Sequence, residues 1–123
     1  MIPPQNTQKH VLLVEPNDDL RETMTLLLQC FGYQITSSKN ANEALALALS
    51  QPPDVVLTEV RMIDMEMHDL CQRLRALPNM NGCRIVAFTG DTSPQAKAEI
   101  VRSCFDAVLV KPSSAEALVD AIG

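Results

Sequence analysis

Pro53-Asp54-Val55-Val56-Leu57-Thr58-Glu59-Val60-Arg61-Met62 is the stretch that decides the fold. Its apolar core is continuous, not alternating, and it runs straight into an acid. A run of that kind is a strand buried on both faces, as in a parallel sheet lying between two helix layers. Four more short runs share the character: His10–Val14, Tyr33–Ser37, Arg84–Phe88 and Ala107–Val110. Stretches with helical spacing separate them. Leu20, Met24, Leu27, Leu28 and Phe31 share one helical face, opened by the capping chemistry of Asn17, Asp18 and Asp19 and closed by Gly32. Asn40 can cap the next helix, which Gln51-Pro52-Pro53 stops. Met67, Leu70, Cys71 and Leu74 line the third, Ser93-Pro94 opens the fourth, and Ser113-x-x-Glu116 has the spacing of a capping box for the fifth. Strand and helix alternate five times, so the fold class is α/β with a single (βα)5 domain over residues 9–123. Residues 1–8 read as a loose leading segment.

Composition narrows the function classes. The 123 residues suit one core. With 46% hydrophobic and 20% charged residues the chain is an ordinary globular one. A net charge of −5 lacks the basic footprint of a nucleic-acid binder. No apolar run is long enough to span a membrane, and the first residues carry no secretion signal, so a cytoplasmic protein is expected. Cys30, Cys71, Cys83 and Cys104 show no Cys-x-x-Cys spacing and no clustering with His10 or His68. They read as four reduced thiols, not as disulfides or a zinc site.

Ligands of open α/β sheets sit at the carboxyl ends of the strands. There the chain places Glu15 and Pro16 after the first strand, Glu59 after the third, Thr89 and Gly90 after the fourth, and Lys111 and Pro112 after the fifth. Two carboxylates, a hydroxyl and an ammonium at one edge suit phosphoryl chemistry: an acid to accept the group, acids to hold Mg²⁺, and a lysine and a hydroxyl to meet the phosphate oxygens. Taken singly, Glu59 and Lys111 would read as a structural ion pair.

Together the motifs identify the family. Val11–Glu15, Asp18–Glu22, Pro53–Met62, Ala87–Gly90 and Phe105–Pro112 resemble, in order and spacing, the receiver domain of two-component response regulators, from about Lys9 to Ile122. The resemblance implies a flavodoxin-like three-layer sandwich with a parallel sheet in order 2-1-3-4-5, a signalling role in a phosphorelay in place of an enzyme's, and a histidine kinase or an output domain as partner. It implies that Glu59 occupies the phosphoacceptor position, normally an aspartate, and that Glu15 is the first acid of the pocket. Thr89 and Lys111 stand at the phosphate-contact positions, and the Lys111–Pro112 bond is expected to be cis. The metal set it implies is Glu15, Glu59 and the main-chain carbonyl of Arg61.

The departures alter the expected chemistry. Pro16 stands where the family has a second metal-binding acid, Val108 where it usually has an aromatic ring, Ile63 where a proline is usual, and Met67 where a glycine is usual. Glu59 is one methylene longer than aspartate, which displaces its carboxylate by about 1.5 Å and disturbs in-line geometry. A Mg²⁺ site is therefore expected to be weak or absent. The reading favoured is a phosphorylation-independent protein-interaction module. The competing one is a working phosphotransfer receiver that uses Glu59 or a nearby acid such as Asp64. A flavin- or nucleotide-binding enzyme fares worst, since the loop after the first strand is acidic and has no glycine. Helix five carries no Lys or Arg, which gives no support to a dimer built on salt bridges there.

Overall fold

The computed structural model describes residues 9–123; the leading segment 1–8 lies outside the described residues. Five strands and five helices alternate: β1 (His10–Val14), α1 (Asp18–Cys30), β2 (Gln34–Ser38), α2 (Ala41–Ser50), β3 (Val55–Thr58), α3 (Met67–Ala76), β4 (Arg84–Thr89), α4 (Pro94–Arg102), β5 (Ala107–Val110) and α5 (Ala115–Ile122). The sheet is parallel throughout, in the order β2-β1-β3-β4-β5.

Successive strand residues point to opposite faces, and each face has its own core. Val11, Leu13, Val55, Leu57, Val86 and Phe88 pack with Met24 and Leu28 of α1 and Leu118 and Ile122 of α5. Leu12, Val14, Val56 and Ile85 pack on the other face with Ala41, Ala44 and Ala48 of α2 and Leu70, Cys71 and Leu74 of α3. A smaller cluster of Val60, Met67, Ala87 and Ile100 brings α4 over β4. Alanines at every buried position of α2 let that helix lie close to the sheet.

Helix starts follow the capping chemistry with one displacement. Asn17 caps α1 by accepting from Leu20 N, Asn40 caps α2 through Glu43 N, and Ser93 caps α4 through Ala96 N, with Pro94 in the first turn. In α5 the cap is Ser114, not Ser113: Ser114 Oγ accepts from Ala117 N, while Ser113 Oγ donates to the Ser114 carbonyl. The sequence offered two adjacent serines, and the one nearer the helix took the cap. Gly32 follows α1 with φ 93°, the left-handed region in which glycine is at ease.

Two expectations are corrected. Burial on both faces holds for β1, β3 and β4, but β2 and β5 are edge strands: in β2 only Ser38 is buried, and β5 alternates, leaving Val108 47% and Val110 49% exposed. The small α4 cluster sits over β4 and leaves that face of β5 partly open. The four thiols are not all reduced: Cys71 of α3 and Cys104, just before β5, form a disulfide with Cα atoms 5.8 Å apart. Cys30 is free and exposed, and Cys83 free and buried. The two paired cysteines lie 33 residues apart in the chain, so no local spacing could announce them. None of the helices among the described residues is long and apolar enough to cross a membrane.

Candidate functional site at the carboxyl edge of the sheet

The register of four neighbouring strands, β1, β3, β4 and β5, assembles the site. β1 and β3 run side by side with Val14 opposite Thr58, so Glu15 and Glu59 leave adjacent strands at the same level. Glu59 N donates to the Val14 carbonyl at 2.9 Å and Glu15 N to the Ser38 carbonyl at 3.0 Å, which continues the sheet pairing through both acids. β4 pairs β5 with Thr89 opposite Val110, and Lys111 N donates to the Thr89 carbonyl at 2.9 Å. The Lys111–Pro112 bond is cis, as the motif implied.

Lys111 is the centre of the arrangement. Its Nζ donates to Glu15 Oε1 at 2.5 Å and to Glu59 Oε1 at 2.9 Å, and it stands 5.4 Å from the centroid of the Phe88 ring. All three charged side chains are largely enclosed, Glu15 most of all at 3% residue exposure. Burial by itself would push the Lys111 ammonium down, but the bonds to Glu15 and Glu59 outweigh it and hold its pKa above the ordinary value. Glu59 shows the mirror image. Burial alone would raise its carboxyl. Hydrogen bonds from Lys111 and from the Arg61 N–H win, with the Thr89 hydroxyl adding to them, so it stays below the ordinary range. Its second oxygen, Oε2, accepts from Val60 N at 2.6 Å and Arg61 N at 3.1 Å. Glu15 Oε2 accepts from Asn17 N at 3.0 Å. Every carboxylate oxygen of the pair therefore already accepts a hydrogen bond.

Glu15, Glu59, Thr89 and Lys111 converge as the sequence reading placed them. Val108 does not belong to the pocket: it is a half-exposed residue of the edge strand. Arg61 acts through its side chain, where the sequence reading assigned it only a carbonyl. Its Nε donates to Asp91 Oδ2 at 2.5 Å, tying the loop after β3 to the loop after β4. Asp91 escaped the sequence reading. Its Oδ1 accepts from Ser93 N at 3.0 Å, and its own N–H donates to Thr89 Oγ1 at 3.0 Å. Bonds from Ser93, then Arg61, draw its carboxyl down to about 2. The signal was an acid two residues before the Ser93-Pro94 cap, and it was overshadowed by that cap.

Two nearby acids, Asp64 and Asp18, are committed elsewhere. Asp64 accepts from Ala41 N at 3.1 Å and Asn42 N at 2.9 Å, a second cap for α2 supplied from the loop after β3. Asp18 pairs with Arg21 at 2.6 Å, and Asn17 is held at the α1 cap. No group of three or more His, Cys, Asp or Glu side chains among the described residues is placed to hold a metal. Mg²⁺ asks for near-octahedral oxygen ligands and gives up water reluctantly. Here only Glu15 and Glu59 face the pocket, both are bonded to Lys111, and Pro16 offers no third oxygen. The two carboxylates offer fewer free oxygens than a well-built divalent site would.

A family model described as the response regulator receiver domain matches residues 11–123. The chain belongs to that family. This receiver domain is 30% identical over 105 residues to an uncharacterized 14.6 kDa protein of Leptolyngbya boryana, covering 85% of this chain and 80% of that protein. It is 26% identical to the CAI-1 autoinducer sensor kinase/phosphatase CqsS of Vibrio cholerae, covering 94% of this chain but 17% of that protein. Among solved structures it superposes on chemotaxis protein CheY4 of Vibrio cholerae with a TM-score of 0.83 at 28% identity, covering 93% and 95% of the two chains. A receiver domain of a Pseudomonas aeruginosa sensor histidine kinase, with a magnesium ion coordinated in its active-site cleft, has the same fold at a TM-score of 0.85 and 22% identity. The receiver domain is a signalling module of two-component systems, and its fold is the flavodoxin-like one.

Proposed function

We propose that this receiver domain works without aspartyl phosphorylation, as a cytoplasmic protein-interaction module whose partner is a signalling protein, either a histidine kinase or an output domain. The observation that carries the reading is the single ammonium of Lys111 bonded to both Glu15 and Glu59. An acceptor must present an oxygen in line with the incoming phosphoryl group. Glu59 has one oxygen on Lys111 and the other on two backbone N–H groups. The positive charge that a divalent ion would bring is supplied from within the chain. Glu59 then makes contacts a phosphoryl group would make, at one negative charge in place of nearly two. The pocket is thereby held in one state, with nothing left for a phosphodonor to change. Residues 9–123 act as the unit in this reading, without contact to nucleic acid.

Intact mass after treatment with a small acyl phosphate and Mg²⁺ tests it. The native chain should take up no phosphate, and the Glu59→Asp/Pro16→Asp variant should take it up. Ready phosphorylation of the native chain at Glu59 or Asp64 would establish the phosphotransfer reading in its place. Glu59→Gln, which keeps the shape and removes the charge, should speed amide exchange at Thr89 and Gly90.

A further inference from the structure

We propose that Cys71 and Cys104 form a reversible redox site, a disulfide closed and opened by thiol–disulfide exchange, and that its state sets how firmly α4 is held. The inference stands apart from the phosphorylation reading, since it concerns neither Glu59 nor Lys111.

Helix α4 is weakly anchored by its own side chains: only Ala96 and Ile100 are buried. Its position depends on ties at its two ends. At the N-terminal end, Asp91 holds Ser93 N and is itself held by Arg61 from the loop after β3. At the C-terminal end, two residues beyond Arg102, Cys104 is joined covalently to Cys71 of α3. The first tie is an exposed ion pair of small worth; the second is the stronger.

The disulfide can be cut without unfolding the domain. Three hydrogen bonds from Arg75 hold the segment around Cys104 in place: to the carbonyls of Cys83 and Cys104 at 2.9 and 2.6 Å, and to Asp106 at 2.7 Å. Asp106 also exchanges bonds with Ile85, accepting from its N–H at 2.8 Å and donating to its carbonyl at 2.7 Å. The two sulfurs differ in access, for Cys71 is fully buried and Cys104 only partly so. The incoming group is a thiolate of a dithiol, and it attacks Cys104 Sγ. The S–S bond breaks, Cys71 Sγ leaves with the electron pair and takes a proton, and the second thiol of the dithiol resolves the mixed disulfide. Two electrons pass from the dithiol to the protein, which ends with two thiols. The reverse reaction with an oxidised dithiol closes the bond. Cys83 lies in the same core cluster, yet burial pushes its thiol up to about 11, so it does not compete as a thiolate. Cys30 is free and exposed; its coupling between molecules is removed by Cys30→Ser.

The consequence reaches the surface. Val101 on α4 is 82% exposed, and on β5 Val108 and Val110 are about half exposed. A tied α4 presents Val101 in a fixed place; an untied α4 does not.

The test uses the full chain carrying Cys30→Ser, equilibrated with graded ratios of reduced and oxidised dithiothreitol, quenched in acid, then alkylated under denaturing conditions. Intact mass should show two populations that differ by two alkylated thiols and interconvert reversibly, and peptide mapping should place the bond between Cys71 and Cys104. Hydrogen exchange on the two forms should show the α4 amides of residues 95–102 opening about tenfold or more faster in the dithiol form, with amides of β1 and β3 unchanged. The Cys71→Ala/Cys104→Ala variant should behave as the dithiol form; if it does not fold, the reduced native chain carries the comparison. No Cys71–Cys104 bond in the oxidised sample, or a bond opened only in denaturant, overturns the redox site. Equal exchange of α4 in the two forms overturns its coupling to α4. Phosphate uptake, scored on separate samples by mass, bears only on the earlier reading.

Discussion

Replacing Lys111 by methionine tests the architecture of the pocket most sharply. The substitution keeps an unbranched side chain and removes the ammonium. Glu15 and Glu59 then face each other with no cation between them, and both side chains are at most 12% exposed. Removing one partner from a buried ion pair costs about 3–5 kcal/mol, because a charge is left buried and unpaired. Glu59 keeps two backbone N–H bonds and Glu15 one, which places the expected loss near the lower end, at about 3 kcal/mol. For a domain of this size that is roughly a 10–15 °C fall in Tm. Glu59→Gln should cost less, about 1.5 kcal/mol, since Lys111 still has Glu15. Urea unfolding of the native chain, both single variants and the double variant reads all four corners of the cycle. Adding Glu59→Gln to Lys111→Met should recover part of the loss, because it removes one of the stranded charges. A Lys111→Met loss below about 1 kcal/mol, or smaller than that of Glu59→Gln, would refute the claim that the ammonium holds the two carboxylates together.

Pro16→Asp should create measurable Mg²⁺ binding where the native chain shows little, by adding the missing oxygen ligand beside Glu15; titration calorimetry on both forms decides it. The oxidised chain should exceed the reduced chain in urea stability by about 3–4 kcal/mol, the loop-closure value for a cross-link spanning 33 residues, and equal midpoints would contradict it. Acid should destabilise the domain through Asp106. Burial would raise its carboxyl, but bonds from Ile85 N and Arg75 outweigh it and hold it below the ordinary 3.8. A depressed carboxyl contributes stability above its unfolded pKa and loses it as pH falls through the folded one. Stability should therefore decline from about pH 4 downward, and Asp106→Asn should flatten that slope in acid melts.

Much of the fold was legible because its signals are local. Apolar runs at Val11–Val14, Val55–Leu57 and Ile85–Phe88 mark buried parallel strands, and Asn17, Asn40 and Ser93 cap helices within three residues of themselves. Such features need only a stretch of chain to act, so a linear reading finds them. Burial at an edge is different: Val108 and Val110 read as core residues, and whether a helix covers β5 depends on where α4 comes to rest.

The site divides along the same line. The sequence by itself determined which groups stand at the strand ends, because each acid, hydroxyl or lysine directly follows its own apolar run. Which groups bond to which was decided by tertiary structure alone. Lys111 meets carboxylates 96 and 52 residues away in the chain, Arg61 meets Asp91 across 30, and Cys71 meets Cys104 across 33. Asp64, an acid near the pocket in sequence, is spent on the α2 terminus instead. Strand register and loop path set those distances, and hydrogen bonds and disulfides form only within a few ångströms.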